Sequence, residues 1–95
     1  MLNSSFFAAS AVHLANRVRH RVGDPAPLAR QVEDAYWLTL GRPPSESECG
    51  AAEAYLGRLR GLHLAANRPA AEAAQRSLES FVHMLQCANE FLYVD

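Results

Sequence analysis

Apolar positions recur along this chain at steps of three and four, the spacing that gathers side chains on one face of an α-helix. Phe7, Ala11, Leu14, Val18 and Val22 form the first stripe, behind Asn3 and Ser4, both competent N-caps. They predict a helix from Ser4 or Ser5 to Val22. The linker Gly23-Asp24-Pro25-Ala26-Pro27 follows, with Asp24 suited to cap a second helix and Pro25 to its first position. Leu28, Val32, Ala35, Tyr36 and then Thr39 or Leu40 give that helix a buried face ending near Leu40. Arg30 and Asp34, four residues apart, read as an exposed pair on it. Trp37 falls off the stripe, so it either packs on a neighbouring helix or anchors an interface.

The segment Ala35–Glu48 is the corner on which the rest turns. Gly41 tolerates the left-handed conformation that closes a helix, and Pro43 and Pro44 cannot continue one. Ser45 and Glu48 stand at capping-box spacing, each side chain able to satisfy the other's backbone N–H. A third helix is predicted over Glu46 to Arg60, with Cys49, Ala52, Tyr55, Leu56 and Leu59 inward and Gly61 as its stop. Gly50 and Gly57 weaken it, which close approach of another helix would explain. The segment Gly61–Arg68 reads as a loop, with His63 in solvent.

A fourth helix is predicted from Pro69 to about Ala88, capped by Asn67 or Arg68. Ala71, Ala74, Leu78, Phe81, Val82, Leu85 and Ala88 line one side, and Glu72 and Arg76 pair on the other. Phe91 and Leu92, in the closing run Asn89-Glu90-Phe91-Leu92-Tyr93-Val94-Asp95, are expected to dock back on the bundle. Short turns favour antiparallel neighbours, with the fourth helix as central stave. The expected fold is an all-α, compact four-helix bundle forming one domain over residues 1–95.

Composition narrows function more than it specifies it. Nine cations, all arginine, against ten acidic residues leave a net charge of −1, which supplies no global field for nucleic acid. The cluster Arg17-Val18-Arg19-His20-Arg21 would suit a phosphate or another anionic partner, but the favoured reading is that cations at a helix C-terminus complement its dipole and solvate its outer face. Cys49 and Cys87 are too few for a disulfide scaffold or a closed zinc site; they read as two buried thiols or as one bridge. No apolar run is long enough to span a membrane, and the N-terminus lacks the basic start of a signal peptide. His13 and His20 share a helix face but sit too far apart for one metal without an intervening ligand. No serine or cysteine has a base at a readable spacing, so neither catalytic residue nor cofactor is expected.

Two stretches carry a family resemblance. Ala35-Tyr36-Trp37-Leu38-Thr39-Leu40-Gly41-Arg42-Pro43-Pro44 with Glu48, and the closing segment with Asn89, Glu90, Phe91 and Tyr93, resemble the C-terminal end of the planctomycete-specific domain-one family. Met1-Leu2-Asn3-Ser4-Ser5-Phe6 is similar to the segment preceding the same helices there. Ser5 replaces the usual proline, and Cys87-Ala88 a small or Asn-Ser pair. The resemblance spans essentially the whole chain, and the closing segment is its most specific part. It implies the last portion of a large exported protein, often one carrying a cytochrome-c-like domain. The family is of unknown function and offers no catalytic residues to carry over. On this reading the chain begins within the family's domain, and a face that would otherwise pack on the preceding part favours self-association.

The leading expectation is therefore a non-catalytic module that completes a larger extracytoplasmic protein through protein contacts. Two others compete with it. One is a wall of an active site that lies elsewhere, with Arg42, Glu90 and Asp95 as candidates. The other is a DNA-binding helix-turn-helix, echoed by the corner but poorly served by a third helix whose only cations are Arg58 and Arg60.

Overall fold

Leu78, Phe81, Val82 and Leu85 lie on one face of the last helix and are all buried, so the fold is built against that helix. The computed structural model describes the backbone of residues 4–23 and 26–92 and the side chains of residues 9–23 and 26–88. Four helices make an all-α bundle: α1 (Ser4–Val22), α2 (Leu28–Leu40), α3 (Glu46–Ala65) and α4 (Ala70–Leu92). Among the described residues α4 touches the other three and so does α2, whereas α1 and α3 do not meet. The bundle's cross-section is thus a rhombus with α2 and α4 on its short diagonal.

Side-chain bonds show the antiparallel order. Gln86 donates to Ser10 Oγ at 2.7 Å, while near the other end Arg19 Nη1 donates to Gln75 Oε1 at 2.8 Å, so α1 and α4 run in opposite directions. The core gathers Ala11, Ala15 and Val18 from α1, Val32, Ala35 and Tyr36 from α2, and Ala52 and Leu56 from α3 around the α4 face. Two polar side chains are buried with them. Gln31 donates to the Ala26 carbonyl at 3.1 Å and accepts from Arg60 Nη2 at 3.3 Å, which ties α3 to the base of α2. Ser77 turns its hydroxyl onto the Ala73 carbonyl at 2.6 Å and so needs no distant partner.

The helix ends depart from the pattern in three places. Helix α2 starts at Leu28 with Pro27 at its N-cap; Asp24 and Pro25 lie outside the described residues. Pro27 forces Ala26 away from helical geometry, which delays the start. Helix α3 runs through Gly61 to Ala65. One glycine costs a helix only about 1 kcal/mol, and good helix formers follow it. The true stop is Asn67, in the left-handed region at φ 65°, where Arg68 N–H bonds back to the His63 carbonyl at 3.1 Å ahead of Pro69. His63 therefore belongs to the last turn of α3, half-buried and 3.0 Å from Arg68 Nη1, rather than to an open loop. Helix α4 continues past Ala88 to Leu92, so the backbone at Phe91 and Leu92 is helical; their docking lies outside the described side chains.

Phase also shifts at the start of α4. Ala73 and Ser77 face inward, and Ala71 is exposed, as is Ala88 near the far end. Gly50 and Gly57 are exposed with no atom near the place a Cβ would take, so no close helix approach explains them.

Candidate functional site

Gly41 closes α2 in the left-handed region, φ 68°, with its N–H on the Trp37 carbonyl at 3.2 Å. Pro43 and Pro44 then carry the chain to Ser45, the N-cap of α3. Ser45 N–H donates to Glu48 Oε1 at 2.8 Å and Ser45 Oγ accepts from Glu48 N–H at 3.2 Å, which completes the expected capping box. Arg42 adds a fork on the same carboxylate, Nη1 to Oε1 at 2.8 Å and Nη2 to Oε2 at 3.0 Å. Its guanidinium also stands 5.5 Å from the centroid of the Tyr36 ring.

The electrostatics follow from that geometry. Hydrogen bonds from Arg42 and then from the Ser45 backbone hold the Glu48 carboxyl down at about 2, below its ordinary 4.5. Burial pushes the Tyr36 hydroxyl up, with Glu48 pushing the same way and Arg42 opposing. A carboxylate held ionised by two donors and a phenol held neutral make a poor acid–base pair. This corner fixes a turn.

Tyr36 also forms the floor of a shallow hollow. Its ring and that of Tyr55 each stand 6.2 Å from Phe81, tilted by 49° and 48°. With Glu48, Arg58 and the exposed Met84 they line a groove of about 280 Å³ between α2, α3 and α4.

A second surface lies on the opposite flank of α2. Trp37 is 50 % exposed, so it is not packed into the core, and it lines a cleft with Arg21 and Val22 of α1. Beside it Arg21 Nε donates to the two Asp34 oxygens at 2.9 and 3.0 Å, joining the end of α1 to α2. Arg21, Val22, Arg30, Glu33, Asp34 and Trp37 line a cleft of about 430 Å³. Arg21 also borders a neighbouring hollow of about 480 Å³, lined by His13, Asn16, Arg17 and His20. Asp34 is taken by Arg21, not by Arg30 as the sequence spacing implied. That His13 and His20 share a face of α1 was legible from their spacing; the continuity of that face with Trp37 depends on how α1 meets α2.

The remaining candidates are dispersed. Cys49 is half-buried and Cys87 exposed, and both are free thiols, so Cys87 is not the buried thiol expected. Among the described residues no three His, Cys, Asp or Glu side chains gather to hold a metal, and no helix is long and apolar enough to cross a membrane. Gly41, Arg42, Pro43, Pro44, Ser45 and Glu48 come together at the corner; Trp37 stands apart from them on α2's other side. Asn89 and Glu90 lie on the last turns of α4 with side chains outside the described set, and Tyr93 is outside it altogether. The chain matches no family model, no curated protein and no solved structure.

Proposed function

We propose that this chain is a non-catalytic helical module that completes or caps a larger extracytoplasmic protein and works by protein contact, with Trp37 at the contact. The half-exposed indole carries the proposal. Tryptophan and arginine dominate the energetics of protein interfaces, and here one tryptophan stands among Arg21 and Arg30. The resemblance of the corner and the closing segment to the planctomycete-specific domain supports the larger-protein part. Against a DNA-reading role, Arg60, one of the two arginines on α3, is engaged with Gln31 inside the bundle.

The test is a photo-reactive residue in place of Trp37, introduced in the source cell, with the adducts mapped by mass spectrometry. Adducts joining position 37 to peptides from outside residues 1–95 are expected. Adducts confined to those residues, or none at full incorporation, would overturn the reading.

A further inference from the structure

The two hollows on the α1/α2 flank share Arg21 but differ in charge. The one on α1 is lined by His13, Asn16, Arg17, His20 and Arg21, with no carboxylate. Positions 13, 17 and 20 follow one another at helical spacing, so a ligand lying along them meets cationic or protonatable groups over about 10 Å. Arg21 is neutralised by Asp34. Among the described residues Arg17 and Arg30 are exposed without a carboxylate at ion-pair distance. The other hollow sets the exposed indole of Trp37 among balanced charges, Arg21 and Arg30 against Glu33 and Asp34.

We infer that this flank docks an acidic polypeptide segment: its carboxylates lie along His13, Arg17 and His20, and an apolar side chain beside them covers Trp37. The inference rests on the protein-contact reading above and adds the chemistry of the partner. Charge complementarity selects the occupant. A uniformly anionic polymer such as a nucleic acid meets attraction over α1 but gains none at Trp37, where Glu33 and Asp34 balance Arg21 and Arg30, on a chain of net charge −1. A polypeptide varies its side chains along its length. It can place carboxylates on one hollow and an apolar group in the other, matching both.

The experiment uses the full chain and a fluorescein-labelled synthetic peptide in which a run of glutamates is followed by a Leu-Phe pair. Comparators are the same peptide with glutamine for glutamate and a single-stranded oligonucleotide of similar length, all read by fluorescence anisotropy. The acidic peptide is expected to bind about tenfold more tightly than its glutamine counterpart and to weaken as salt rises. The double substitution Arg17→Glu with Arg30→Glu, and separately Trp37→Ala, should each weaken it by about tenfold. Arg58→Glu, on the far groove, should leave it unchanged. These side chains are exposed, so melting curves of the variants should overlay the parent and exclude misfolding. Equal binding of the glutamine peptide, equal loss on Arg58→Glu, or tighter binding of the oligonucleotide would each overturn the inference. Cross-linking at position 37 to a partner that is not acidic would leave the general reading standing and this one refuted.

Discussion

Arg21 reaches across from the last turn of α1 to hold Asp34 in the middle of α2, with its Nε 2.9 and 3.0 Å from the two carboxylate oxygens. The contact bridges the linker that separates the two helices, so it couples their relative placement. A double-mutant cycle with Arg21→Ala and Asp34→Ala should give a coupling of no more than about 1 kcal/mol, since Arg21 is exposed and salt screens it. The same cycle with Arg30→Ala and Asp34→Ala should give about zero. A coupling on the Arg30 side as large as on the Arg21 side would contradict the observed pairing.

At the corner the acid response has a definite sign. Glu48 titrates at about 2 in the folded chain, against 4.5 for the free group. Between those values the unfolded chain binds the proton that the folded chain refuses, so stability rises with pH through that window. The contribution is complete above about pH 4.5 and lost as pH falls toward about 2. Thermal midpoints measured across the window should fall for the parent and fall less for Glu48→Gln, and added salt should narrow the difference. Ser45→Ala should cost about 1 kcal/mol at neutral pH through loss of the N-cap. Identical acid limbs for the parent and Glu48→Gln would show that the fork contributes nothing.

The glycines of α3 and the glycine that ends α2 should respond in opposite directions. A Cβ at Gly50, Gly57 or Gly61 would meet nothing within 4 Å. Alanine at each should therefore stabilise the chain by roughly 0.5–1 kcal/mol through helix propensity alone. Gly41 has equally open surroundings but a φ of +68°, where an L side chain is strained, so Gly41→Ala should destabilise by about 1 kcal/mol. Chemical denaturation of the four single variants measures both signs. Loss of stability at Gly50 or Gly57 would mean that another surface normally packs there.

What the sequence made legible is what depends on neighbours a few residues away. Gly41, Ser45 and Glu48 do their work within one turn of the chain, and their roles could be read directly. Gly61 misled because propensity is weak: the segment to Ala65 stays helical, and only Asn67 and Pro69 provide a stop strong enough to end it. At the start of α4 the run Ala70, Ala71, Ala73 and Ala74 gives periodicity nothing to distinguish, so the inward choice of Ala73 and Ser77 was not readable. Gln31 is not among the apolar positions that mark the buried face of α2, and its bond to Arg60, far along the chain, is not local. The Trp37 surface was half legible. The residue stood out as off the stripe, but the α1 face of His13, Arg17 and His20 beside it needed the contact between α1 and α2.

Phe81 is where three helices depend on one side chain. It is fully buried, and Tyr36 of α2 and Tyr55 of α3 both tilt against it at 6.2 Å. Truncation to alanine removes the apolar contact of the ring and leaves a cavity that two tyrosines, one held by Arg42 over its face, cannot readily fill. The expected loss is about 3–5 kcal/mol, a large share of the roughly 5–14 kcal/mol that a domain of this length holds. Phe81→Leu keeps most of the volume and should lose less than Phe81→Ala. Trp37→Ala, at a half-exposed ring, should change stability by no more than about 0.5 kcal/mol. Urea unfolding of the three variants side by side separates the aromatic that builds the bundle from the one left on its surface. If Phe81→Ala proved as mild as Trp37→Ala, α2 and α3 could not be packed on α4 through that ring.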